Sequence, residues 1–333
     1  LAVLGLPGCG KPASTAEVIV YTSTDDVYAR AVTERFTERS GIRVRLVTDT
    51  EETKSTGLLN RLIAEGSRPQ ADVFWSGDAM RAAILKQRDL ADTLHSPELA
   101  AYPAHHRDPS ARMARFSARL RVLLYHRGKL GNGALPTSIR DLVDPRFRNQ
   151  ACIANPLFGT TSMHAAALFE SWGDTEARAF FAALQNNGVR MLASNGEVRR
   201  RVASGEFTLG LTDSDDANVA LLDGKPVGFV LPDQDSFGTL LIPSALVALK
   251  SGPNPDPARQ FIDFLLSEEG EQLLAASSAA QIPLRTGLPT PPFFGRALAD
   301  IRLMSVDPDA LGRRLTTLQD GFLRDWVSIQ MSR

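Results

Sequence analysis

Short apolar runs of the kind that form buried strands alternate with amphipathic, helix-like segments along most of the chain. The first run, Val-Ile-Val-Tyr-Thr-Ser at 18–23, is rich in β-branched residues, as buried parallel strands are. The next segment has helical spacing of apolar residues up to Gly41, which has the position of a helix C-cap. A strand at 42–47, a helix at 55–65 and a third strand at 71–75 follow. This order predicts a parallel sheet with helices on its faces.

The second half of the chain repeats this alternation. Strand-like runs and helix-like segments follow one another at 151–154, 163–172, 189–192, 197–204 and 208–212. Two longer extended runs, 114–125 and 238–249, lie on either side of this part, and an amphipathic helix is expected over 257–276. We interpret the two long runs as hinge strands, along which the chain crosses into a second lobe and returns.

The pattern therefore predicts an α/β protein of two lobes, each with a mixed sheet and flanking helices, joined by the two hinge strands. The predicted divisions are lobe 1 at 18–118 plus 240–288, lobe 2 at 119–239, and C-terminal helices at 289–333 that pack on a lobe. In such α/β folds a ligand binds in the cleft at the carboxyl ends of the strands.

The first residues resemble the end of an export signal. Apolar residues precede Leu-Pro-Gly-Cys at 6–9, so residues 1–9 look like the end of a bacterial lipoprotein signal peptide. Cleavage would leave Cys9 as the lipid-carrying first residue, and the small polar segment 10–17 would be a tether. We therefore expect an exported protein, periplasmic or on the cell surface, that contacts a bacterial membrane through Cys9. The alternative is a frayed terminus with a chance cysteine.

Composition narrows the possible functions. The 333 residues are 43% hydrophobic and 23% charged, as in an ordinary globular protein. A net charge of −1 gives no electrostatic case for nucleic acid as a partner. No apolar run reaches the roughly 20 residues that a membrane span requires. With only Cys9 and Cys152 in the chain, no disulfide framework and no metal-type cysteine pair is present.

Five segments in order make the chain resemble a known family. They are the segments 18–23, 71–78, 155–162, 194–206 and 261–272. Together they are similar to the extracellular solute-binding proteins of the ferric-iron ABC importers, over about 18–284. The resemblance implies the periplasmic-binding-protein type II fold, a monomer, and an ABC permease with its ATPase as partners. It also implies a receptor without catalytic residues or a catalytic cofactor.

Polar residues follow the first and third predicted strands. Ser23, Thr24 and Asp25 come at the start of a helix, where free backbone N–H groups and hydroxyls favour an anion. Helix capping alone is the other interpretation of these residues. Asp78, after the third strand, is a candidate N-cap, a cleft carboxylate, or both.

A glycine turn followed by hydroxyls stands before the helix at 163–172. Gly159, Thr160, Thr161 and Ser162 would present N–H donors to an oxyanion, or would simply cap the helix. By resemblance, this turn holds the synergistic anion, phosphate or carbonate, that completes the coordination of ferric iron. The resemblance also implies that Asn195 reaches this anion.

Three carboxylates, Asp213, Asp215 and Asp216, follow the strand at 208–212. Ferric-binding members of the family usually carry adjacent tyrosines here, and this chain has no tyrosine close by in sequence. The carboxylates would repel one another without a cation. As hard oxygen donors they could bind Fe³⁺, another hard metal or an ammonium group. The alternative is a solvated acidic turn that caps a helix.

Two other clusters are interpreted as unrelated to ligand binding. Arg199, Arg200 and Arg201 are expected on a solvated helix face rather than in a phosphate clamp. His105 and His106 are expected in a polar loop and not at a metal.

We therefore predict a receptor of an ABC importer that closes two lobes on a small solute. The expected ligand is ferric iron, or another hard cation, transported with phosphate or carbonate. The alternative ligand is an aminoalkylphosphonate or a similar zwitterion, with its phosphonate at 160–162 and its amine on the acidic loop. An enzyme that uses paired carboxylates is a further alternative, but the sequence contains no nucleophile–base pair to support it.

Overall fold

The computed structural model describes residues 16–49 and 56–332. The predicted lipid anchor at Cys9 and most of the predicted tether lie outside these residues. Glu17, the last residue of the predicted tether, belongs to the first strand. Within the described residues, every helix is too short or too polar to cross a membrane.

Within the described residues the chain forms nine strands and eleven α-helices. The strands are β1 (Glu17–Thr22), β2 (Arg43–Thr48), β3 (Val73–Ser76), β4 (Ala114–His126), β5 (Ala151–Ala154), β6 (Arg190–Leu192), β7 (Leu209–Asp213), β8 (Val227–Val230) and β9 (Leu241–Ala248). The helices are α1 (Asp26–Ser40), α2 (Thr56–Glu65), α3 (Ala79–Gln87), α4 (Arg127–Leu130), α5 (Gly159–Asn186), α6 (Asn195–Ala203), α7 (Ser214–Leu222), α8 (Pro255–Leu266), α9 (Glu268–Ala276), α10 (Pro308–Asp320) and α11 (Phe322–Met331).

The strands form one continuous mixed sheet, in the order β2-β1-β3-β9-β4-β7-β5-β6, with β8 also paired to β4. Strands β1, β2 and β3 are parallel, as are β5, β6 and β7, whereas β4 and β9 are antiparallel to their neighbours. Instead of two separate sheets, two halves share β4, which pairs with β9 up to Leu120 and with β7 from Arg121. The first half-sheet consists of β2, β1, β3, β9 and the start of β4. The second half-sheet consists of the end of β4 with β5, β6, β7 and β8.

Two helices differ from the sequence prediction. The helix expected over 257–276 is two helices, because Ser267 has an extended backbone (φ −70°, ψ 166°) and its side chain caps α9 at the backbone N–H of Gly270. The helix expected over 163–172 lies in the first half of α5, and its predicted end falls directly before the non-helical Gly173, at φ 77°. Here the sequence prediction missed the first turn of α5 and its continuation after Gly173, whereas at Ser267 it missed the interruption.

The C-terminal helices pack across the molecule. Helix α10 contacts both α3, next to the first half-sheet, and α5, next to the second. Its Asp309 carboxylate accepts a hydrogen bond from Lys86 Nζ at 2.6 Å, and Gln319 Nε2 donates to the carbonyl of Leu157 at 2.8 Å. Helix α11 rests on α5, where Trp326 Nε1 donates to the carbonyl of Phe181 at 2.9 Å.

Candidate functional site

A cavity of about 200 Å³ lies between the two half-sheets, where the carboxyl ends of β1, β5, β6 and β7 converge. Parallel strands bring their carboxyl ends to one edge of a sheet, so segments distant in sequence meet there. Nine of the predicted site residues line it: Ser23, Thr24, Asp25, Gly159, Thr160, Asn195, Asp213, Asp215 and Asp216. The remaining three, Asp78, Thr161 and Ser162, lie outside the cavity wall that the described residues form.

Among the described residues, four helices begin at this cavity: α1, α5, α6 and α7. The first N–H groups of a helix have no partner inside the helix and carry the positive end of its dipole. Gly159 opens α5 with φ 53°, a backbone conformation that favours glycine. The cavity is therefore suited to an oxyanion.

The two threonine hydroxyls of the α5 turn are engaged inside the protein. Thr160 Oγ1 donates to Asp213 Oδ2 at 2.7 Å, and it accepts from Arg121 Nη1 at 3.0 Å. Thr161 Oγ1 accepts from Arg121 Nη2 at 3.3 Å and donates to Asn195 Oδ1 at 3.3 Å. An anion at this turn would therefore meet chiefly its backbone N–H groups.

Asp78 and Ser162 meet at a second buried arginine, Arg81. Asp78 is the N-cap of α3, with Oδ1 accepting from the backbone N–H of Arg81 at 2.9 Å and Oδ2 from its Nη1 at 2.7 Å. Ser162 Oγ accepts from Arg81 Nη2 at 2.9 Å and donates to the carbonyl of Gly159 at 2.7 Å. Of the two roles considered for Asp78, the structure shows the N-cap.

Two arginines of β4, Arg119 and Arg121, are functional candidates that the sequence analysis missed. Arg121 is fully buried and its Nη1 lies 2.7 Å from Asp213 Oδ1, while Arg119 Nε lies 3.2 Å from Asp213 Oδ2. Burial favours the neutral acid, but Arg121 and Arg119 outweigh it and hold the pKa of Asp213 below its usual range. Charged residues within an otherwise apolar strand were the signal available in the sequence.

The other two carboxylates of the acidic loop are compensated less, because the charges of Arg119 near Asp215 and Arg199 near Asp216 do not outweigh burial. Burial, with repulsion from the neighbouring carboxylates, raises the pKa of Asp215 to about 7 and that of Asp216 to about 6. Thr212 Oγ1 donates to Asp216 Oδ2 at 2.7 Å. One oxygen from each of Asp213, Asp215 and Asp216 lies within 4.8 Å of the others, a spacing that one metal ion could bridge.

Asp213, Asp215 and Asp216 form the acidic end of the cavity. The fold brings a tyrosine to this end, although none is close to it in sequence. Tyr28 of α1 lines the wall and is 8% exposed. Its burial and the nearby Asp215 raise its pKa to about 12, so its hydroxyl is protonated at neutral pH. Three-dimensional proximity, invisible in the sequence, places it here.

The arginine run of α6 divides between the cavity and solvent. Arg199 and Arg200 border the cavity; Arg200 is exposed, as expected for a solvated face, whereas Arg199 is partly buried and its Nη1 lies 3.8 Å from Asp216 Oδ1. Arg201 instead pairs with Glu197 and lies on the exposed side, as expected. Three consecutive helical residues point in different directions, which explains the split.

Comparisons with known proteins agree with this geometry. The family model described as "Bacterial extracellular solute-binding protein" matches residues 16–277. The chain is 27% identical to iron uptake protein A1 of Synechocystis over 85% of this chain and 80% of that protein. It is 28% identical to the major ferric iron-binding protein of Neisseria meningitidis, over 79% and 80%. A Salmonella typhimurium protein provisionally named for 2-aminoethylphosphonate binding is 26% identical, over 81% and 80%.

Solved structures show the same fold. Iron-bound HitA from Pseudomonas aeruginosa superposes with a TM-score of 0.83 at 24% identity, covering 93% of this chain and 99% of that one. The ferric binding protein from Campylobacter jejuni superposes with a TM-score of 0.80 at 21% identity, covering 93% and 99%.

Proposed function

The chain belongs to the bacterial extracellular solute-binding proteins and has the periplasmic-binding-protein type II fold, and we propose that it is the receptor of an ABC importer. In this proposal the predicted lobes, 18–118 plus 240–288 and 119–239, close on a solute by bending about β4 and β9. The receptor acts as an exported monomer, anchored through Cys9, and delivers its ligand to a permease and ATPase. Binding, and not catalysis, is its activity.

We propose ferric iron, transported with phosphate or carbonate, as the ligand. The observation that carries this proposal is the presence of two opposite poles in one cavity: helix N-termini for an oxyanion, and carboxylates with raised pKa values for a cation. Asp215 and Asp216 would be the main metal ligands, and Asp213, already paired with two arginines, would assist them. The anion would bind the first N–H groups of α5. Relatives named for ferric iron support this choice.

An aminoalkylphosphonate is the second candidate ligand, and one observation favours it. Arg119 lies within the acidic end, where its guanidinium would repel a trivalent metal more strongly than a single ammonium. The phosphonate would bind the start of α5, and the amine would pair with Asp215 and Asp216. The relative provisionally named for 2-aminoethylphosphonate binding supports this alternative.

Thermal unfolding of the purified chain with each candidate ligand distinguishes the two. A ligand at about 100 times its dissociation constant adds about 2.7 kcal/mol, which raises the Tm by several degrees. We expect this rise with ferric nitrilotriacetate only when phosphate or carbonate is present, and not in the matched variant D215N/D216N. A rise with 2-aminoethylphosphonate and none with iron would favour the second candidate. No rise with either would reject both ligands.

A further inference from the structure

We propose that Arg81 is a positioning residue that couples lobe closure to anion binding, by holding the first turn of α5 from the opposite lobe. The anion part of this inference rests on the proposed function, while the contacts that carry it are independent of any ligand. Arg81 acts through Gly159 and Ser162 and does not itself line the cavity.

The guanidinium of Arg81 divides its hydrogen bonds between the two proposed lobes. In lobe 1, Nη1 donates to Asp78 Oδ2 at 2.7 Å and Nη2 to Thr56 Oγ1 at 3.1 Å. In lobe 2, Nη1 donates to the carbonyl of Gly159 at 3.3 Å and Nη2 to Ser162 Oγ at 2.9 Å. The side chain is fully buried, so water does not compete for these bonds in the arrangement seen here.

The contacts in lobe 2 belong to the turn that the anion would use. Gly159 and Ser162 are the first and fourth residues of α5, and the N–H groups between them are those proposed to bind the oxyanion. Arg121 holds the same turn from β4, through the hydroxyls of Thr160 and Thr161. Arg121 therefore remains in place when the lobes separate, whereas the bonds of Arg81 to α5 must break.

Because Arg121 keeps its contacts with α5 and Arg81 loses them when the lobes separate, lobe closure and anion binding should favour each other. Separation of the lobes leaves Arg81 with its partners Asp78 and Thr56 and removes one of the two supports of the α5 turn. A ligand that binds the turn favours the arrangement in which both supports are present. By linkage, the factor by which closure strengthens anion binding equals the factor by which the bound anion favours closure, so a contact that raises the population of the closed arrangement also strengthens anion binding.

Two single-hydroxyl deletions form a matched pair, because both hydroxyls accept from the same nitrogen of Arg81. Ser162→Ala removes the contact across the lobes together with the local bond from Ser162 Oγ to the carbonyl of Gly159, and Thr56→Val removes the contact within lobe 1. We expect S162A to weaken phosphate binding about tenfold, the value of one charged hydrogen bond, and T56V to change it less than about twofold. Calorimetric titration of the purified chain with inorganic phosphate, with and without ferric ion, measures both.

Small-angle X-ray scattering of the ligand-free chain measures the radius of gyration, which would not change if Arg81 and Ser162 only stabilised the α5 turn locally. We expect a larger radius of gyration for S162A than for wild type and T56V, with similar Tm values for the two variants. R81K keeps the charge beside Asp78 but loses the forked reach, so it should resemble S162A. The double variant R81K/S162A should bind phosphate no more weakly than either single variant, since both changes remove the same contact between Arg81 and Ser162.

Three outcomes would overturn the proposal. The first is an equal effect of S162A and T56V on phosphate affinity and on the radius of gyration, or no effect of either. The second is weaker phosphate binding by S162A at an unchanged radius, additive with R81K, which would mean that the Ser162 hydroxyl contacts the anion directly. The third is an unchanged radius in both S162A and R81K. If wild type binds no phosphate even with ferric ion, the proposed anion is wrong, and the scattering comparison alone decides the role of Arg81.

Discussion

The two ends of the cavity differ in how far their charges are balanced before a ligand arrives. At the start of α5, the side chains of Thr160, Thr161 and Ser162 already have partners, and two buried arginines hold the turn. At the start of α7, burial and mutual repulsion raise the pKa values of Asp215 and Asp216. The side chains at the first end already have partners, whereas at the second end Arg119 and Arg199 only partly offset the cost of the buried carboxylates.

This difference assigns separate roles to the two ends. An anion site whose groups are already held in place loses little conformational freedom when the anion binds. Its contribution to the binding free energy therefore depends on how well its N–H groups are directed at the anion. Crowded carboxylates disfavour their own charged forms, and a bound cation removes that penalty. Substitutions at the acidic end should therefore change cation affinity most, and substitutions beneath the α5 turn should change stability most.

The largest expected effect is at the acidic end. The double variant D215N/D216N keeps the shape of both side chains and removes both charges that would face a cation. We expect ferric affinity to fall at least about 100-fold, because two charged contacts are lost together. Competition with a coloured iron chelator measures this affinity. The double variant D256N/D320N, which removes two exposed carboxylates outside the cavity wall, is the control. Equal affinities of D215N/D216N and wild type would refute a metal site at this loop.

The second largest effect is beneath the α5 turn. Arg121→Met removes a fully buried charge and leaves Asp213 with Arg119 alone. Breaking a buried ion pair by removing one partner costs about 3–5 kcal/mol. We expect urea denaturation to show a loss of this size.

The variant R121M/D213L tests the cause of that loss. It removes both charges of the Arg121–Asp213 pair but also takes the carboxylate partner from Arg119, so it should recover part of the stability if an unpaired carboxylate is responsible. An R121M protein as stable as wild type would show that Arg119 alone compensates Asp213.

Features with local signals were predictable from the sequence, and features made by distant contacts were not. The first strand, predicted at 18–23 and observed at Glu17–Thr22, and the turn at Gly159 were predicted because β-branching, glycine and hydroxyls are local patterns. Arg119 and Arg121 were missed because their partner, Asp213, is about 90 residues away in sequence. The break at Ser267 had a local signal, a serine N-cap before two glutamates, which the continuing apolar periodicity concealed.

The acidic end should also make the ligand-free protein less stable as the pH rises. Asp215 and Asp216 have folded pKa values of about 7 and about 6, above their ordinary 3.8. Between the ordinary and the folded pKa of each group, the folded state therefore binds more protons than the unfolded state. Stability then falls with increasing pH across that interval. We expect the wild-type Tm to decrease from about pH 5 to about pH 7.5 more than that of D215N/D216N, whose amides do not titrate. Parallel pH profiles of the two proteins would show that these carboxylates are not responsible.

The smallest expected effect separates Arg199 from its neighbour Arg201. Arg199 lies 3.8 Å from Asp216 at the cavity, whereas Arg201 pairs with Glu197 on the exposed side. A cationic ligand competes with Arg199 for the carboxylate, so R199A should strengthen ferric binding about twofold to threefold at low salt, and R201A should not change it. The effect of R199A should shrink in high salt, because the contact is partly exposed to screening ions. Weaker ferric binding by R199A would instead mean that Arg199 contacts the anion, and would move the boundary between the two ends of the cavity to α6.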